Sequence, residues 1–225
     1  VYCQMTDSPN SAHKLGSESD PIRQRLFASQ PIAELLQRMP IHEPAGAFAA
    51  LADAARLVAE GRRDDAIMLL RGVLDRPNIE TRIQLWAWSA LRELGIQPDA
   101  NVASEVLGVV AEVPMQDAWD TLAAYQDGSA RYLNYSGAAI FWDRPDETIT
   151  ALCHALSRAA ATAGAQAKPR LSVALPQAGM QLTVLTRSGN YVIIDPPESS
   201  IKVAAVLMNE LIQRAQTAQK KPEPS

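Results

Sequence analysis

The chain has 225 residues, 47% of them hydrophobic and 20% charged, which is enough apolar material for one large domain or two small ones. Its net charge of −4 and pI near 5.4 argue against a nucleic-acid or anionic-membrane surface. Phosphate binders need a basic patch, and the longest basic runs here are Arg62-Arg63 and Lys220-Lys221.

Other function classes are excluded by spacing. Cys3 and Cys153 lie too far apart in character and position to form a disulfide framework. No apolar run reaches the length of a membrane span. The stretch from Val1 to Asp20 has no basic region followed by an apolar one, so no secretory signal is read there. The expected location is the cytoplasm. The excess of Arg over Lys and the abundance of Ala hint at a high-GC bacterial gene.

Residues 1–20 and 217–225 are polar and aperiodic and are expected to be disordered tails. A helical segment is expected over 21–98. Ile32, Leu35, Leu36 and Met39 fall at helical spacing between Pro31 and Pro40. Residues 45–60 carry Phe48, Leu51, Ala55 and Val58 on one stripe and end at Gly61. Asp64 and Asp65 suit the first turn of a helix with Ala66, Leu69, Leu70, Val73 and Leu74 inward, broken by Pro77. A further helix from about Glu80 to Leu94 turns Ile83, Trp86, Ala87, Ala90, Leu91 and Leu94 inward.

From Val106 the hydrophobic period changes to about 2, and an α+β domain is expected over 99–216. Val106–Val113 reads as a strand. Thr121–Gln126 and Ser129–Tyr135 read as a hairpin around Asp127-Gly128, which predicts a type I′ turn. Ala138–Trp142 is a further strand. Asp146–Ala163 is a helix with Ile149, Leu152, Cys153, Leu156 and Ala160 inward. Leu171–Leu175 is a strand. Gln181–Arg187 and Tyr191–Asp195 form a second hairpin, and Ser200–Gln216 is a last helix with Ile201, Ala204, Leu207, Met208, Leu211 and Ile212 inward. Strands joined by tight turns are antiparallel, so the fold class is α+β.

The second hairpin carries a further implication. Leu182, Val184, Tyr191 and Ile193 share one face, and Leu185, Val192 and Ile194 the other. A half-solvated sheet alternates apolar with polar. With both faces apolar, two helices of this domain can cover one, and the helical segment or a second copy of the chain must cover the other.

Few constellations carry chemistry. Cys153-His154 could pair a thiol with a base, but adjacent helical residues point about 100° apart, so a buried Cys beside a surface His is the plainer reading. Asp143, Asp146 and Glu147 are expected at a helix start from the macrodipole alone. Asp127 is explained by its turn, while Asp117 and Asp120 precede turns. His13, His42 and His154 have no metal-ligand spacing. There is no phosphate-binding glycine loop or nucleophile elbow. No cofactor, metal site or catalytic residue is assigned.

The aromatic concentration from Trp119 to Trp142 is more informative. A two-residue turn would pair Tyr125 with Ala130 and Ala123 with Tyr132, placing Tyr125, Tyr132 and Asn134 on one face and Arg131 and Tyr135 on the other. Tyr125, Arg131, Tyr132, Asn134, Tyr135 and Trp142 are therefore the candidate binding residues, as tyrosine and tryptophan combine apolar area with a polar tip.

The helices around Gly61, Ala66 and Pro77, with small Ala54 before them, resemble a single tetratricopeptide repeat, a helical hairpin of about 34 residues. The α+β order loosely resembles roadblock-like or other sensor-type sandwiches, which implies topology and no activity. The segments Leu85–Gly95, Gly108–Pro114 and Thr121–Gly137 look like parts of a family of uncharacterised bacterial proteins, and that resemblance implies no catalytic residues. Three functions compete: a non-enzymatic interaction or scaffold protein acting through a protein partner or self-association, a small-molecule sensor using the aromatic hairpin, and a hydrolase using the acids between 117 and 147.

Overall fold

The computed structural model describes residues 21–34, 46–115 and 118–219. The expected helix stripe at Leu35, Leu36 and Met39, the tail of residues 1–20 and the end of the chain from 220 lie outside that range.

Among the described residues the first helix is the six-residue α1 (Pro21–Leu26), which hydrophobic periodicity did not indicate because it spans fewer than two turns. Three helices follow: α2 (Ala47–Ala59), α3 (Arg63–Leu74) and α4 (Thr81–Glu93). They match the expected segments to within two residues. The turn after α2 is closed by a bond from Arg62 N to Leu57 O of 2.8 Å, which captures a carbonyl the helix leaves free.

The sheet contains β1 (Val106–Pro114), β2 (Trp119–Tyr125), β3 (Ala130–Leu133), β4 (Ala139–Trp142), β5 (Lys168–Pro169), β6 (Gln181–Thr186) and β7 (Gly189–Ile194). Their spatial order is β4-β3-β2-β1-β6-β7-β5, and every pairing is antiparallel. Two helices complete the domain, α5 (Glu147–Thr162) and α6 (Glu198–Gln219). The fold is α+β, with helices preceding an antiparallel sheet that carries two packed helices.

Helices pack against both sheet faces. Val109, Ala111, Leu122, Tyr132, Leu182 and Ile193 pack with Ile149, Cys153 and Leu156 of α5 and Leu207 and Leu211 of α6. On the opposite face Val110, Ala123, Tyr125, Leu133 and Leu185 pack with Leu26, Phe27, Leu51, Leu70, Trp86 and Leu91. The helical segment covers Leu185 of the second apolar face, while Val192 is half-buried and Ile194 is 52% exposed. Leu107 and Val110 share that face because the β1–β6 register shifts between Val106 and Gly108, a bulge that offsets the two-residue alternation.

Two sequence expectations are corrected. Residues 171–175 form no strand. The carbonyls of Ser172, Val173 and Ala174 accept from the guanidinium groups of Arg23 and Arg170, so they are spent on side chains and not on a ladder. In α6, which runs three residues beyond Gln216, Ile201 faces outward, while Ala204, Leu207 and Leu211 are buried.

Candidate functional site

The hairpin between β2 and β3 decides where the aromatic residues go. Asp127-Gly128 does not form the expected type I′ turn. Gly128 N donates to Tyr125 O (3.0 Å), Tyr125 N donates to Ser129 O (3.0 Å), and of the two central residues only Gly128 has positive φ, +81°. The loop is a type I turn followed by a left-handed glycine, which inserts one residue compared with a two-residue turn. Ala124 therefore pairs with Ala130, Ala123 with Arg131 and Leu122 with Tyr132. A one-residue slip exchanges the faces of a strand. Tyr125 and Arg131 consequently lie on the side of the helical segment, while Tyr132 lies on the side of α5 and α6.

The candidate residues do not share a pocket. Tyr125 is fully buried, and its hydroxyl donates to Leu26 O at 2.8 Å. Burial pushes its phenol far above the ordinary value, so it stays neutral. Arg131 is buried, donates to the carbonyls of Ala130 and Trp142, and pairs with Asp143. Its guanidinium also lies 5.6 Å from the Phe141 ring centre. Tyr132 is buried and donates to Asp120 at 2.6 Å; burial, then that carboxylate, holds its phenol neutral. Asn134 donates to the Tyr132 hydroxyl and accepts from Ser136. Trp142 is buried, with Arg144 and Arg214 at 4.2 and 5.6 Å from its ring centre. Of the six, Tyr135 alone is exposed, at 44%.

Of the candidate acids, Asp117 lies outside the described residues, and Asp120, Asp127 and Asp146 have separate structural duties. Asp120 accepts from Tyr132 and from Tyr135 N (2.8 Å). Asp146 caps α5 by accepting from Ile149 N and pairs with Arg214 at 2.5 Å, which ties the start of α5 to α6. Asp127 accepts from Thr81 N at 2.8 Å, so the hairpin caps the first turn of α4; it also accepts from Ser129. Burial opposes ionisation of Asp127, but the bonds from Thr81 and Ser129 outweigh it and hold its carboxyl below the usual range. Among the described residues, no group of three His, Cys, Asp or Glu could hold a metal ion.

Cys153 and His154 are separated as the helix geometry requires. Cys153 is buried with its sulfur near the carbonyls of Gly128 and Ser129, and burial pushes its thiol up to about 12. His154 Nε2 lies 2.9 Å from Gln126 O and so carries the proton of that bond.

Two features were not recognised in the sequence. The first is a buried ion cluster on β1. Glu112 pairs with Arg23 of α1 through one oxygen and with Arg170 through the other, the latter at 2.6 Å. Arg170 also donates to Thr183, and both guanidinium groups approach the Phe27 ring, at 5.2 and 4.7 Å. An isolated acid inside the apolar run from Gly108 to Val113 was its one sequence signal.

The second is an open groove of about 470 Å³ on the outer face of α3. It is lined by Asp64, Ile67, Met68, Arg71, Gly72 and Asp75. Met68 projects there with 69% exposure, and an added Cβ at Gly72 would meet nothing within 4 Å. The packed face of the same helix holds Ala66, Leu70 and Val73. No protein-family model matches the chain, and neither a curated protein nor a solved structure matches it.

Proposed function

We propose that the chain is an interaction or scaffold protein that docks another polypeptide on the outer face of α3. The observation that carries this reading is the groove around Met68 and Gly72. It places an unbranched, adaptable apolar side chain beside a gap left by a missing one, with charged groups at its rim. The reading is supported by the use made of the polar groups elsewhere. Arg131, Asp120, Asp127 and Asp146 are each consumed in fastening one element to another.

The test is site-specific photocrosslinking. A photoreactive phenylalanine derivative is placed at Met68 in the full chain, and separately at Ile201 as an exposed apolar control. An adduct with another polypeptide from position 68, lost when Gly72 is changed to Leu and absent from position 201, is the expected result. Equal or no capture from the two positions would overturn the reading.

A further inference from the structure

We propose that the segment following β5 is a reactive-site loop that inhibits a serine endopeptidase, with Leu171 as the side chain that enters an apolar primary pocket of the enzyme. This site lies apart from the outer face of α3 and does not depend on it.

Leu171 is 96% exposed, more than any other large apolar side chain among the described residues. A side chain left in water adds nothing to the core, so its placement is explained by the backbone that carries it. Residues 170–176 run without helix, turn or bend. β5 is the outermost strand of the sheet, and Arg170 N donates inward to Asn190 O at 2.8 Å, which continues the β5–β7 pairing by one residue. Successive residues of a strand turn their backbone groups to opposite sides. Leu171 therefore turns its N–H and C=O outward, and neither makes a hydrogen bond among the described residues. An enzyme cleft that binds extended chain does so through main-chain hydrogen bonds and a pocket for one side chain. Leu171 offers both.

The surroundings of the Leu171–Ser172 bond suit an inhibitor and not a substrate. In acyl transfer the enzyme's serine oxygen attacks the Leu171 carbonyl carbon, and the Ser172 amine leaves with the proton returned to it by the enzyme's histidine. Turnover requires that amine to depart before water attacks the acyl group. Here both sides of the bond are held independently of it. On the amino side, Lys168 and Pro169 pair with β7, and the Arg170 side chain bonds Glu112 and Thr183. On the other side, the carbonyls of Ser172 and Ala174 accept from Arg170 at 2.8 and 2.7 Å, and that of Val173 accepts from Arg23. Val173 also packs against the core shared with the helical segment. Arg170 thus spans the bond, with its backbone on one side and its guanidinium fixed to carbonyls on the other. The severed amine stays beside the acyl carbon and re-forms the peptide bond, which returns the hydroxyl to the enzyme. The same fixation removes much of the ordering cost of binding. It also gives a use to two buried arginines that share one carboxylate, since their remaining donors hold the loop.

The test is inhibition of chymotrypsin, whose primary pocket is apolar, against trypsin, whose pocket carries an aspartate, both assayed with small chromogenic substrates. The full chain should inhibit chymotrypsin at equimolar ratio and leave trypsin active. Leu171→Arg should move the preference to trypsin by about tenfold or more. Because the side chain at 171 touches almost nothing, far-ultraviolet circular dichroism of that variant should match the parent. Mass spectrometry of the inhibited mixture should find the intact chain together with a form cut once, between Leu171 and Ser172, and the cut form isolated should inhibit as well. Rapid and complete cleavage of that bond without inhibition would make the segment an ordinary exposed loop and overturn the proposal. It is overturned equally by a parent chain that leaves chymotrypsin active, or by inhibition that Leu171→Arg leaves unchanged.

Discussion

Gly128 stands under two constraints at once. Its φ of +81° is costly for a residue with a Cβ, and a Cβ there would overlap Thr150 Oγ1 of α5. Gly128→Val is therefore expected to lose about 3 kcal/mol, combining backbone strain with overpacking; a denaturant titration reads it. Tyr135 and Tyr125 give a contrast within one hairpin. Tyr135→Ala removes a half-exposed ring and should cost less than about 1 kcal/mol, because the Asp120 contact is to the Tyr135 backbone and survives. Tyr125→Phe removes only a hydroxyl, yet leaves Leu26 O without that partner in the core, at a cost of about 1–2 kcal/mol. Thermal unfolding of the two variants should rank them in that order.

At the scale of elements, the hairpin loop is the joint between the sheet and α4. Asp127 accepts from the first-turn amide of Thr81, and Thr81 Oγ1 accepts from Asp127 N at 3.1 Å. The native Asp127 carboxyl lies below its unfolded value, so the unfolded chain binds that proton more readily. Its stabilisation is complete above the unfolded value near ~4 and is lost as the pH falls through the lower native value. In Asp127→Asn this acid-side loss should be missing, and the stability of the variant should converge on that of the parent as the pH drops. A pair of urea titrations at neutral and acid pH checks it; a constant difference between the two proteins would refute the assignment. On the other sheet face, Asp146 both caps α5 and holds Arg214 of α6. Asp146→Ala should cost about 1–2 kcal/mol, mostly from the lost cap.

Over the whole molecule, one carboxylate fastens segments separated by most of the chain. Glu112 on the central strand receives Arg23 from the first helix and Arg170 from the loop before β6. Removing that charge leaves two buried cations with no counter-charge. Glu112→Gln is expected to destabilise by about 3–5 kcal/mol, far more than a surface pair. Hydrogen exchange should then show loss of protection first in residues 22–32 and 170–176, because those segments are held by the cluster. A loss confined to α5 and α6 would contradict that account.

The sequence by itself determined the element types and the architecture. Period 3.6 marks α2 to α6 within a few residues, apart from the terminal extension of α6, and period 2 marks the long strands. The two apolar faces of Gln181–Ile194 called for covers on both sides of the sheet; helices pack on both sides, but on the second face Leu185 is covered and Ile194 stays exposed. Local patterns succeed there because each records the environment of its own residues. Three things were decided only by the tertiary structure. The register of the first hairpin depends on one extra loop residue, with Gly128 left-handed and too close to Thr150 of α5 to carry a Cβ, and Asp127-Gly128 alone does not say which of the two turns forms. The Leu171–Leu175 pattern reads as a strand, but its carbonyls go to arginines from elsewhere, Arg23 above all, 150 positions away from Val173. The six aromatic and polar candidates look like a surface in sequence because tyrosine, arginine and asparagine are commonly exposed. In the folded chain Tyr125, Arg131, Tyr132 and Asn134 spend their polar groups on bonds within the fold, Trp142 is buried, and Tyr135 alone is exposed.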